Sequence, residues 1–212
     1  MEAHETGRRH RVELLAMILL AAAAVATAWS TYQSTQWRGQ QATDNSQASA
    51  ARIESSEAST RAGQLTQVDI ATFTQWVDAH VAGNTDLADF YRERFREEFQ
   101  PAFEAWIATD PFTNADAPAT PFAMPEYRVA EAAEARRLNA VADARSAAAG
   151  RANVHSDKYM LAVVLFATAL FFAGMSTKLH ALRQQEVLLA FGGAIFVGAA
   201  VLLATFPAMF VT

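Results

Sequence analysis

Residues 159–177 read YMLAVVLFATALFFAGMST, an apolar run without a single Asp, Glu, Lys, Arg or His. Its length is close to the roughly 20 residues a helix needs to cross the hydrocarbon core of a bilayer. Two further runs match it: VELLAMILLAAAAVATAW over residues 12–29 and VLLAFGGAIFVGAAVLLATF over residues 187–206. Lipid cannot satisfy backbone N–H and C=O groups, so each run is expected to be helical. The predicted fold class is all-α. The chain is read as an integral membrane protein with three transmembrane helices and a long helical-hairpin, coiled-coil-like domain between the first and second. Residues 1–11 form a tail, 12–32 the first transmembrane helix, 33–157 a stalk and tip, 158–178 the second helix, 179–186 a short loop and 187–212 the third helix.

A mean hydropathy of +0.05 averages two unlike populations. Between residues 33 and 157 there are 18 acidic residues against 11 Arg, a balance of −7, whereas the remainder is slightly basic. An acidic domain does not attract nucleic acid, so no nucleic-acid partner is expected. Cysteine is absent. That excludes disulfides, thiolate metal sites and a cysteine nucleophile.

Orientation follows from the short basic flanks, which stay in the cytoplasm. Arg8, Arg9 and Arg11 precede the first run, and Lys178 and Arg183, with His180 between them, separate the second from the third. Both flanks then lie on the cytoplasmic side, with residues 33–157 outside. Trp29, Tyr32, Trp37 and Tyr159 suit the outer headgroup level, and Lys178 the inner one. A cleaved secretory signal is the rival reading of the first run, with Ala26-Thr27-Ala28 as the cleavage motif. The length of the run and the aromatic anchors beyond it favour a retained span.

Outside the membrane, residues 33 to about 82 lack proline and predict one long helix. Its upper part carries Ile70, Phe73, Trp76, Val77 and Val81 as a predicted buried face. Gly83 is the expected left-handed stop for that helix, and Asn84 or Thr85 suits the next N-cap. Leu87, Tyr91, Phe95, Phe99, Phe103 and Trp106 recur near i+4, predicting a helix over about 86–109 with a kink or restart at Pro101. Residues 110–125 hold four prolines and predict an ordered or binding loop. Helix resumes near Glu126 and runs into the second span. At 1.5 Å per residue the three segments measure about 75, 35 and 48 Å, which closes as an antiparallel stalk below an apolar tip. Ala, Gln, Ser and Thr dominate the stalk and bury little surface, so a homo-oligomer is expected to share the packing.

No phosphate-cradling loop, nucleophile elbow or metal-binding His/Glu signature is present, and no cofactor is expected. His80 with Asp78 and His155 with Asp157 stand at i,i+2, on different faces, and are read as solvated or capping residues. Glu97, Glu98 and Glu104 read as surface charge. With no ionisable group deep in any span, a proton-coupled carrier is disfavoured. Ala22, Ala26 and Ser30, and again Ala190, Ala194 and Gly198, recur at four-residue spacing and suit close helix packing, within the chain or between subunits. Trp106, Phe112, Phe122 and Met124 are candidate partner contacts at the tip, with a covering role as the plainer alternative.

Four stretches carry a resemblance: Trp29-Ser30-Thr31-Tyr32-Gln33 with Trp37, then residues 90–99 (FYRERFREEF), then 120–127 (TPFAMPEY), then Phe171-Phe172-Ala173-Gly174 with Ser176-Thr177-Lys178. In these the chain resembles a family of uncharacterised bacterial three-span membrane proteins with a helical insert between spans one and two. That resemblance implies a bacterial cytoplasmic-membrane location and no reaction. The expected function is thus non-enzymatic: assembly or partner contact through the outer helical domain, with membrane lipid, copies of the chain and a protein at the tip as partners. An oligomeric channel or channel accessory subunit is the alternative.

Overall fold

The computed structural model describes residues 2–209. It is 81% helix with no strand among the described residues. Helix α1 runs over Glu2–Val81, α2 over Thr85–Arg92, α3 over Gln100–Ile107, α4 over Ala130–Ser176 and α5 over Leu182–Ala204, with a 3-10 turn at Pro121–Ala123. Three of these, α1, α4 and α5, are long and apolar enough to cross a membrane. Only 17%, 33% and 11% of their most apolar windows is buried, so the greasy residues face outward instead of filling a core.

The chain divides into two compact units, one of residues 1–46 with 145–212 and one of residues 47–144. In the first unit, α1, α4 and α5 pack through small residues. Ala16, Ala23, Ala162, Ala169, Ala173 and Ala199 are buried, and Phe166 fills the space they leave. Gly192 marks the tightest approach: a Cβ there would sit 3.1 Å from the Phe172 Cβ and 3.3 Å from the Ala169 carbonyl oxygen. Polar ties close one end of the unit. Gln33 donates to and accepts from the Met209 backbone at 2.9 Å, and Tyr159 donates to the Pro207 carbonyl at 3.1 Å. The Ser34 and Ser156 hydroxyls lie 3.0 Å apart, and Arg145 reaches Asp44 at 3.3 Å. At the other end Arg8 pairs with Glu186 at 2.8 Å and Arg9 donates to the His180 carbonyl, so both basic flanks meet there.

In the second unit, α1 and α4 run antiparallel. The Ser55 hydroxyl donates to the Ala135 carbonyl at 2.8 Å, and Ala58, Ala135 and Leu138 form a small buried cluster. Gly83, at φ 72°, ends α1 as expected, and Asn84 caps α2 by accepting from the Leu87 N–H. The helix expected over 86–109, with a kink or restart at Pro101, does restart there, but the interruption is longer than a kink. The helix breaks after Arg92 and restarts at Gln100, with Pro101 in the first turn, where a missing N–H is harmless. Across the break Phe95 and Phe99 are buried beside Phe103, and Arg96 reaches Asp69 on α1. Leu87 is 40% exposed and drops out of the predicted row. The face predicted on α1 is likewise displaced. Phe73 and Trp76 are buried as expected, but Ile70 and Val81 are 46% and 73% exposed, and Ala79 and Asp69 lie inside instead.

Candidate functional site

The most densely organised place in the second unit is the aromatic cluster where α1, α2, α3 and the proline loop meet. Phe73 stands at its centre, with Trp106 at 5.3 Å and Phe122 at 5.6 Å, both edge-on. Phe99 stacks on Phe122 at 5.2 Å, and Trp76 meets Phe103 at 4.7 Å. Edge-to-face and offset pairs of this kind add about 0.5–1.5 kcal/mol beyond burial. The proline loop is held to the cluster by Trp106, whose indole N–H donates to the Pro118 carbonyl at 2.7 Å.

Beneath the rings a polar node joins three elements. The Asp69 carboxylate on α1 is 1% exposed and accepts a two-pronged contact from Arg96, at 2.9 and 3.1 Å. Tyr127 donates to the same carboxylate at 3.1 Å and lies 3.3 Å from the Thr66 hydroxyl. Arg96 also binds Glu98 at 3.1 Å. Hydrogen bonding to Asp69 pushes the Arg96 pKa up, and burial pushes that of Tyr127 up. Both groups therefore keep the protonated, donating form. Through these contacts Asp69 ties the break between α2 and α3 to α1. A cleft of about 910 Å3 opens beside the node, lined by Thr66, Glu98, Tyr127, Arg128, Val129 and Arg136 among others. Among the described residues no group of three or more His, Asp or Glu could hold a metal ion.

The four residues expected to contact partners fall in two environments. Trp106 is buried, and Phe122 and Met124 are half-buried against the aromatic cluster, as residues covering a helical tip would be. Phe112 is 51% exposed, with one side of its ring against His80 at 4.8 Å and Trp76 at 6.3 Å. His80 thus stacks between Phe112 and Trp76, the latter at 4.9 Å. His155 is also more engaged than expected. Its ring lies 4.5 Å from Trp37, and its Nδ1 is buried without a hydrogen-bond partner. Glu98 and Glu104 are ion-paired, to Arg96 and, at 4.0 Å, to Arg92, while Glu97 is exposed.

The small residues of the long apolar helices also divide. Ala22 and Ala26 are half-buried and Ser30 is buried, so this triplet packs inside its unit. Ala190, Ala194 and Gly198 are exposed, and α5 buries Gln185, Gly192 and Ala199 on the opposite face. Around the aromatic cluster lie further exposed apolar groups, Val81, Leu87 and Phe90, with the Arg94 guanidinium 3.5 Å over the Phe90 ring.

No protein-family model, curated protein or solved structure matches this chain. Sequence reasoning missed Asp69 and Arg96, yet a signal existed. Asp69 stands at i−4 to Phe73 and i−7 to Trp76, so a carboxylate on that apolar stripe required a buried cation.

Proposed function

We propose that the protein is a non-enzymatic, multi-pass protein of a bacterial cytoplasmic membrane whose outer helical domain mediates oligomeric assembly or partner contact. The observation that supports this reading most is the exposure of Val81, Leu87, Phe90 and Phe112 on a tip whose own aromatic interior is already filled. Exposed apolar residues grouped on a soluble surface are a common mark of an interaction site. Within the spans, the outward-facing Ala190, Ala194 and Gly198 suit close approach of a second helix. The proposal takes in the resemblance to three-span bacterial proteins of unknown function, which lends it a location, while the basic flanks lend it an outer side for residues 33–157.

Photo-crosslinking in intact cells tests it. A crosslinker at position 112 or 81 is expected to capture a protein, whether another copy or a different one, while one at Glu57, on the charged surface of α1, captures none. A single-chain mass in native detergent together with no adduct at either tip position would reject the reading. Conductance in reconstituted bilayers, abolished by a charged residue at Gly198, would replace it with the channel alternative.

A further inference from the structure

A groove of about 520 Å3 runs between α1 and α5 in the first unit, near the ends where both helices begin. Its walls are apolar: Leu15, Ile18 and Ala22 from α1, and Leu189, Gly193 and Phe196 from α5. Its mouth is charged. Glu186 lines it and is met by Arg8 through two contacts, Nε to Oε1 at 2.8 Å and Nη2 to Oε2 at 3.1 Å.

Helical spacing identifies what else stands there. Arg8 and Arg11 precede Leu15, Ile18 and Ala22 at i+3 and i+4 steps, so they share the groove face of α1. Arg183 lies one turn before Glu186 and two turns before Ala190, which also lines the groove. Arg8 neutralises Glu186. Arg11 and Arg183 are both exposed, and neither has an ion-pair partner among the described residues. Glu13 projects from another face of α1, two residues from Arg11. Helix α5 starts at Leu182, and its N-cap Ala181 gives no side-chain cap, so the positive end of its dipole adds to the same field. An apolar channel that ends in surplus positive charge is complementary to an amphiphile with a negative head.

We propose that this groove binds one anionic phospholipid, with an acyl chain along Leu15, Ile18 and Phe196 and the phosphate between Arg11 and Arg183. A second copy of the chain is the poorer occupant, because a two-fold contact on this face would bring each Arg11 and Arg183 against its own kind. A zwitterionic lipid fits the walls equally but gains less at the mouth, since its headgroup carries no net charge. The site is independent of whatever the tip contacts.

Native mass spectrometry of the full-length protein in neutral detergent tests it, with phosphatidylglycerol, phosphatidylcholine or glycerol phosphate added. One phosphatidylglycerol per chain is expected to be retained under conditions that strip phosphatidylcholine. The Arg11→Ala/Arg183→Ala double variant is expected to weaken phosphatidylglycerol binding about tenfold and to leave phosphatidylcholine unchanged. Gly193→Leu, which adds a side chain where a Cβ meets nothing within 4 Å, is expected to weaken both lipids. Equal retention of the two lipids would overturn the proposal. So would an unchanged lipid preference in the double variant, equal competition by glycerol phosphate, or a second chain found in place of the lipid. The double variant changes only exposed side chains, and its helix content by circular dichroism separates lost binding from lost fold.

Discussion

At the residue scale, Asp69 is the position where one side chain controls most. A carboxylate 1% exposed is tolerable only because Arg96 and Tyr127 surround it. Removing one partner of a buried ion pair leaves the other charge stranded, a loss of about 3 kcal/mol or more. Arg96→Ala is therefore expected to lower the stability of the second unit by that amount in chemical denaturation followed by tryptophan fluorescence. The Asp69→Leu/Arg96→Met double variant is expected to recover part of it, since no charge then remains buried. Tyr127 predicts a pH dependence. Its pKa is raised in the folded chain, chiefly by burial, so the folded state holds the proton more tightly than the unfolded one. The Tyr127 contribution is complete below the unfolded value and declines as pH rises past about 10 toward the folded value. Thermal melts between pH 8 and 11 are expected to fall more steeply in the parent than in Tyr127→Phe over the upper part of that range.

At the element scale, adjacent glycines on α5 have opposite surroundings. Gly192 is buried where a Cβ would crowd Phe172 and Ala169 on α4, whereas Gly193 opens onto the groove. Gly192→Val is expected to cost about 1–3 kcal/mol through overpacking, read as a lower melting temperature in detergent. Gly193→Ala is expected to stay within about 0.5 kcal/mol of the parent. The split of the predicted 86–109 helix belongs to this scale as well. Pro101 alone explains a restart, but the length of the break, from Glu93 to Phe99, follows from Arg96 being drawn to Asp69 while Phe95 and Phe99 turn into the aromatic cluster.

At the scale of the whole molecule, the first unit brings the amino-terminal segment and the α4–α5 connection to one end through Arg8 with Glu186 and Arg9 with the His180 carbonyl. Arg8, Arg9, Arg11, Lys178 and Arg183 are thus gathered on one side, the arrangement that cytoplasmic retention of basic loops favours. A periplasm-dependent reporter inserted at Ala119 is expected to be active, and the same reporter at Ala181 inactive. The reverse pattern would invert the topology.

The three apolar runs, the absence of cysteine and the continuity of α1 and α4 were legible from residue types alone, because hydropathy and helix propensity are local properties summed along the chain. Gly83 as the end of α1 and Asn84 as the cap of α2 were legible for the same reason. Other features depended on which face meets which neighbour. Periodicity placed Ile70 and Val81 inside, and only packing against α2, α3 and the loop turned them outward in favour of Asp69 and Ala79. The four-residue repeat of Ala190, Ala194 and Gly198 named a packing surface without saying whether α4 would use it. Tertiary structure decided that α4 takes the Gly192 and Ala199 side, since two helices can share only one seam and the closest backbone approach is at Gly192.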